Sequence, residues 1–503
     1  MKAFLARKLF YSTPCLLALA MAEICRAETL MISGWAPAAQ INLKEQPPSW
    51  LGDDAVIGRL ACPGIVRLEV DQGKNSPALL KAPPTVEKSG SQETWSFSLR
   101  SGLRWWSGGT IDADDLAAWL KVNLKDIVND KLGIEIPANV EISVSNPSTV
   151  KITWPQSPKF GPYVLSGASL YRMKSGQIEC AGLYAASQFP GGMDLSLSKG
   201  YTAKYAKIHI TAESQPIGAG KKGILFSMAG KHSQVLRTSI KTNTCDARLD
   251  VPILTAIIWN PASPVASTPE LRDALTRATP RGEILRTAAG DIGSLISGPI
   301  LRSHPGYNGK FTVKPFNLDV AAQGFEKSGL KQQHIGLPRT VPGDKPATLR
   351  IARITGRQDL LEKMISDSYA SIGINTQFDE VSAGGGNFDG ALASVFIPWT
   401  SQDLRPVMHS SAVKSQSKEK ANFPFVGVSD KDLDDMLDAY SLAITQDAPP
   451  DFELLRKVHQ KWVELEPWTL LMAHQYCVDG RGIKLPKKLN SLDSDWFRDL
   501  IMK

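Results

Sequence analysis

Beyond its N-terminal segment the sequence has no run near the roughly 18 to 20 apolar residues needed to cross a bilayer, which argues against helical spans in the body of the chain. Histidine is sparse and scattered, seven residues in 503, and no CxxC or Cys/His spacing suggests zinc. No GxSxG or HExxH constellation supplies a nucleophile or a metalloprotease helix, so catalysis has no candidate residues and no cofactor is implied. Neither sign of charge dominates: 57 Lys and Arg face 50 Asp and Glu, a net +7, too mild to argue for nucleic acid. No internal repeat appears. What is present, 43% hydrophobic and 21% charged residues in 503, is globular and long enough for two or three domains with substantial cores.

Lys2, Arg7 and Lys8 precede the apolar run Cys15 to Ala22, and Arg26-Ala27 precede Glu28. This reads as a secretory signal peptide, residues 1–27, cleaved after Ala27; the alternative is a short buried helix. Ala22-Glu23-Ile24 lacks the small residue that a lipoprotein signal places before its cysteine, which disfavours a lipid anchor at Cys25. The expectation is a soluble, periplasmic protein. Four cysteines survive cleavage: Cys62, Cys180, Cys245 and Cys477. In an oxidising compartment they predict one or two disulfides, and all three full pairings remain open.

From Thr94 to Leu116 the chain reads TWSFSLRSGLRWWSGGTIDADDL. Trp95, Phe97 and Leu99 alternate with Ser96 and Ser98, the period of a strand with one buried face. Gly102, Gly108 and Gly109 mark turns. Asp112 is placed to cap a helix, with Asp115 as the acid that reaches back, and Leu116, Leu120, Leu124 and Ile127 give that helix an apolar stripe. Further on, AKIHITAES and GILFSMAG read as strands and PILTAIIWN as one buried on both faces. Pro269 opens a helix with Leu271, Ala274, Leu275 and Ala278 on one face and a break at Pro280. Helices around LDDMLDAYSLA and FELLRKVHQKWVEL precede a strand, WTLLMAHQYCV, and SGSQ, VPGDKPA and KSQSKEK read as solvated loops.

The Thr94–Leu116 segment resembles the motif of the family 5 extracellular solute-binding proteins, the dipeptide and oligopeptide receptors of ABC importers. Phe97, Leu99, Arg100, Gly102, Gly108, Ala113, Asp114 and Asp115 fill its places, with Asp112 where the family prefers Thr. In the same order come Gly182-Leu183-Tyr184, Trp259-Asn260, Arg272 with Ala274-Leu275, Asp319-Val320-Ala321 with Gly329, and the strand from Pro467 to His474. The sequence departs at Ala278-Thr279-Pro280-Arg281, where the family has Ala-Ile-Asp-Arg, and at Leu404, where it has proline.

The resemblance implies an α/β, two-lobed periplasmic binding protein-like clamp (class II, cluster C) of mixed β-sheets flanked by helices, with an extra small α+β domain. Lobe I comprises 28–60, 171–267 and 469–503; the small docking domain 61–170; lobe II 268–468. The implied role is that of a monomeric, non-enzymatic receptor that captures a peptide or similar small polar solute and delivers it to an ABC permease in the inner membrane. The alternative keeps the fold as a ligand sensor or periplasmic chaperone without transport.

For the ligand site, the resemblance points to FIPWTSQDLRPVMHS, with Trp399, Thr400 and Asp403 in the matching places. There the family anchors a peptide's α-ammonium on an aspartate, a charge-assisted bond that strengthens as both partners are desolvated. Arg405 follows; it either neutralises Asp403 or binds a ligand carboxylate in its planar fork. Trp35 and Trp259 end strands that the resemblance turns toward the cleft, and serve either as ligand platforms or as core. Of Trp105 and Trp106, neighbours on an extended segment, one is expected in the core. GAGKKG at Gly218–Gly223 satisfies GxGxxG, yet leads into a strand rather than a helix and reads as a surface loop. His474 reads as a core histidine.

Overall fold

The computed structural model describes residues 28–35, 41–45, 47, 55–69, 74–76, 78–213, 215–227, 245–289, 292–334, 336–354, 356–380, 387–397, 404–411, 429–446, 450–486, 489 and 496–502. The signal-peptide reading, the KSQSKEK loop, and Trp399, Thr400 and Asp403 lie outside the described residues.

In chain order the strands used below are β1 (Glu28–Ser33), β2 (Thr85–Ser89), β3 (Gln92–Ser98), β4 (Glu141–Asn146), β5 (Thr149–Trp154), β6 (Tyr184–Phe189), β7 (Gly192–Leu197), β8 (Tyr205–Thr211), β9 (Lys222–Ser227), β10 (Ala247–Trp259), β11 (Gly293–Ser294), β12 (Thr348–Arg353), β13 (Asn375–Glu380), β14 (Gly390–Phe396) and β15 (Trp468–Arg481). The helices are α1 (Ala55–Ala61), α2 (Ala113–Leu132), α3 (Pro269–Ala278), α4 (Arg281–Ala289), α5 (Leu318–Lys327), α6 (Asp359–Ser371), α7 (Arg405–Met408), α8 (Lys431–Ala443), α9 (Phe452–Leu465) and α10 (Trp496–Met502).

The small body is a four-stranded sheet in the order β2-β3-β5-β4, backed by α2. Its seed is the alternation read from the sequence: Trp95, Phe97 and Leu99 are buried, and Trp95 packs on Trp154 with ring centroids 4.8 Å apart. The expected capping box is in place. Asp112 Oδ1 accepts from the amides of Asp114 (3.1 Å) and Asp115 (3.2 Å), and Asp115 Oδ2 accepts from the Asp112 amide at 3.2 Å. Leu116, Leu120 and Leu124 bury the helix against the sheet. Trp105 joins this core, while Trp106 is half-buried with its Nε1 donating to the Ala61 carbonyl.

The main sheet has eleven strands, β6-β7-β8-β1-β9-β15-β10-β14-β12-β13, with β11 paired to β15. β8, β1 and β9 run parallel, as do β14, β12 and β13; the long antiparallel pair β10 and β15 joins the two sets. β10 is nearly all apolar because it is covered on both faces. The covering changes along its length. Leu249 and Val251 pack in one core with Leu30, Trp35, Ile208, Tyr476 and Trp496. From Leu254 onward, Leu254, Ala256 and Ile258 face α8 and α9, whereas Ile257 and Trp259 face α3, α5 and α6. β15 changes cores between Ala473 and Tyr476. Two lobes therefore share one sheet, and β10 and β15 cross from one to the other in mid-strand.

Both disulfides lie on the lobe I side. Cys62–Cys180 ties the end of α1 to the strand before β6, and Cys245–Cys477 ties the chain before β10 to β15.

Candidate functional site

The crossing of β10 and β15 is where the sheet becomes irregular and polar. Asp250 pairs with Gln475, but the next pairing is Leu254 with Ala473, so β10 carries two extra residues around Pro252. Proline cannot donate to the ladder, and a bulge is where a sheet accepts one. Gln475 Nε2 donates to Asp250 Oδ1 at 2.7 Å, and Ser303 donates to the same carboxylate through side chain and backbone. Burial pushes the Asp250 carboxyl above its ordinary range, and the bonds from Ser303 and Gln475 and the charge of Arg302 oppose that shift. One step along β15, His474 Nε2 lies 2.7 Å from Thr255 Oγ1, which is 3.4 Å from Ser394 Oγ on β14. Burial pushes His474 down to about 4, so its imidazole is neutral.

β14 ends at this crossing: the Ile397 amide donates to the Pro252 carbonyl at 2.8 Å. Ile397 and Leu404, which flank the segment carrying Trp399, Thr400 and Asp403, are both buried in the lobe II core. On the lobe I side β1 also ends here, held by Gly34 and Trp35 amides donating to the carbonyls of Glu213 (3.1 Å) and Thr211 (3.0 Å).

The structure places the remaining predicted site residues as follows. Trp35 is fully buried, stacked on Tyr476 (centroids 6.0 Å apart) and edge-on to Phe226 (4.9 Å). Trp259 is fully buried at the other end of β10, its Nε1 donating to Thr469 Oγ1 at 3.0 Å. Of the two alternatives read from the sequence, core packing describes how both rings sit, since apolar faces of the sheet close over them. Arg405 opens α7, and its Nε pairs with Asp438 Oδ1 of α8 at 2.6 Å. It and the two tryptophans are not brought together: each belongs to a different core or face.

No protein-family model and no curated protein matches the sequence. Solved structures match closely in fold. NikA from Brucella suis in complex with Fe(III)-EDTA superimposes with a TM-score of 0.70 at 14% identity, covering 94% of this chain and 100% of that one. An ABC transporter substrate-binding protein from Sinorhizobium meliloti gives 0.64 at 14% identity, covering 94% and 99%. The oligopeptide-binding protein AppA from Bacillus subtilis in complex with a nonapeptide gives 0.62 at 12% identity, covering 93% and 98%. The fold is that of the two-lobed substrate-binding proteins.

In this clamp fold the motif arginines prove structural. Arg272 is buried, with its guanidinium donating to the carbonyls of Leu465, Glu466 and Ala266, so it closes the C-terminal end of α9. Arg281, just after Pro280, donates to the carbonyls of Lys314 (2.5 Å) and Leu470 (3.4 Å). A groove of about 720 Å³ opens near them, with Glu270, Asp273, Lys314, Lys327, Glu464 and Glu466 among its lining residues. It lies at the opposite end of β10 from the crossing. Its central charges are satisfied internally: Lys314 bridges Asp273 (2.6 Å) and Glu466 (2.7 Å). Among the described residues no group of three or more His, Cys, Asp or Glu could hold a metal ion, and no helix is long and apolar enough to cross a membrane.

Sequence reasoning did not single out the Asp250–Gln475 and His474–Thr255–Ser394 contacts. Asp250-Val251-Pro252 was a usable signal, an acid and a proline at the head of an otherwise apolar strand.

Proposed function

We propose that this chain is the substrate-binding protein of an ABC importer, of the family 5 type, exported to the periplasm, where it captures a small polar solute between its lobes and presents it to a permease. The observation that carries the reading is the clamp itself, aligned over 94% of this chain and all of the Brucella suis protein. Two disulfides are in keeping with an oxidising compartment. Binding, not catalysis, is the activity: the ligand closes the lobes because it makes contacts in the closed state that the open state lacks.

The ligand contacts are assigned to the segment between Ile397 and Leu404. Asp403 anchors a cationic group of the ligand, Trp399 and Thr400 flank it, and Arg405 with Asp438 braces the base of the segment. Peptides and metal chelates are the first candidates, since they occupy two of the similar structures.

The test is a thermal-shift and tryptophan-fluorescence screen with short peptides and Fe(III)-EDTA or nickel-histidine chelates. A cognate ligand raises the melting temperature, and Asp403→Asn weakens a cationic ligand at least tenfold, as loss of one charge-assisted bond requires. A screen without any shift would sink the transport reading. An unchanged affinity in Asp403→Asn would remove only the anchor assignment.

A further inference from the structure

The small body is fastened to lobe I and merely touches lobe II. The chain enters it from α1 and leaves it toward β6, and the Cys62–Cys180 disulfide closes that root. Its described contacts with lobe II run along one side of α8 and the turn that follows, at Leu442, Thr445 and Gln446, whose Nε2 donates to the Lys159 carbonyl at 3.5 Å, and at Arg405 of α7. The other stripe of α8, Leu433, Leu437 and Tyr440, is buried in the lobe II core.

The contact centres on Thr445, whose side chain and backbone are both engaged. The Gly161 amide donates to Thr445 Oγ1 at 2.8 Å, and the Tyr163 amide donates to the Thr445 carbonyl at 2.9 Å. The approach requires glycine, since a Cβ on Gly161 would lie 2.5 Å from the Thr445 carbonyl oxygen. Leu442 packs against the small-body core. Arg405, held by Asp438, lays its guanidinium beside Gly133, the left-handed cap of α2.

We propose that this contact is an interlobe latch: the small body moves with lobe I, and its two amide bonds to Thr445 hold the lobes in the arrangement of this structure until they break to admit or release ligand. The composition of the contact suits that role. It holds two amide bonds and a longer bond from Gln446 that water can replace, with one half-buried leucine, while the Arg405–Asp438 pair stays within lobe II, so little apolar surface is exposed as it opens. The inference rests on the clamp fold and not on the identity of the ligand, and its test uses none.

Thr445→Val keeps the shape and removes the acceptor of the Gly161 amide; Gly161→Ala adds the methyl that collides with the Thr445 carbonyl. Hydrogen exchange at the Tyr163 amide, in the full chain without ligand, reads the latch directly, with β10 and β15 amides as the control for global unfolding. The expected result is exchange at Tyr163 about tenfold faster in Thr445→Val and faster still in Gly161→Ala, with β10 and β15 unchanged and a larger radius of gyration in solution scattering. Unchanged exchange at Tyr163, faster exchange with an unchanged radius, or loss of protection shared with β10 and β15 would each overturn the latch in favour of static packing.

Discussion

Single side chains in this clamp are most consequential where they are buried and polar. His304 and His459 both sit inside lobe II, and both use Nδ1 as an acceptor: His304 from the Gly306 amide at 2.9 Å, His459 from the Asn308 amide at 3.1 Å. Protonation would destroy that acceptor and leave a charge in an apolar site. Burial accordingly pushes His304 down to about 3 and His459 to about 4. Because the folded values lie below the unfolded value near 6.5, the unfolded chain binds more protons as the pH falls. Stability is therefore full above pH ~6.5, falls through the interval down to about 4, and levels off below the folded values. By pH 5 each histidine costs about 2 kcal/mol. Urea unfolding at pH 7.5 and pH 5 checks this: His459→Gln, which stays neutral, is expected to lose less stability over that interval than the parent chain. Equal losses would show that His459 does not drive the acid sensitivity.

At the scale of elements, the capping box of α2 offers the most direct measurement. Asp112 satisfies two amides at the helix start and places a negative charge against the positive end of the helix dipole. Asp112→Ala is expected to cost about 1 to 2 kcal/mol, seen as a lower denaturation midpoint with an unchanged m-value; a neutral result would mean that α2 is fixed by packing alone. This element was legible in sequence because its signal is local: a capping residue, an acid three positions on, and leucines at helical spacing. The same holds for β3, β8, β9, α3 and β15. The unit β12-α6-β13 was not read from the sequence. TLRIAR and NTQFDE are short and carry two charges each, and they become strands through parallel pairing of β12 with β13 and with β14, a contact no local pattern encodes. The crossing of β10 and β15 escaped for a related reason. A strand that changes cores in mid-course looks uniformly apolar, so PILTAIIWN marked a strand but not the two extra residues at Pro252. Trp35 and Trp259 illustrate the limit for sites. Their positions at strand ends were read correctly, but whether a ring faces a cleft or a core depends on what packs over it.

The distribution of covalent links across the whole molecule predicts that its lobes can be destabilised separately. All four cysteines of the described chain are paired, and both bridges lie in the lobe I half or at the root of the small body. Residues 268–468 contain no cysteine. The bridges close segments of 118 and 232 residues, the first enclosing the small body and the second enclosing all of residues 268–468, so each removes conformational freedom from the unfolded chain it encloses, about 2 to 4 kcal/mol apiece by common experience. Lobe II is thus held by a bridge across its root as well as by its two packed cores and its buried arginines. Acid acts on both sides of the crossing, through His304 and His459 in lobe II and through His474 on β15. Calorimetry with and without a thiol reductant is expected to lower the melting of the small body and lobe II, which the two loops enclose, by roughly 10 °C and to leave a separate transition for lobe I. The shared strands β10 and β15 set the counter-argument. If the eleven-stranded sheet couples the lobes more strongly than the bridges separate them, reduction will move a single transition as one. That outcome would mean the crossing transmits stability between the lobes, and closure would then be a bend of one sheet rather than a rotation of two independent bodies.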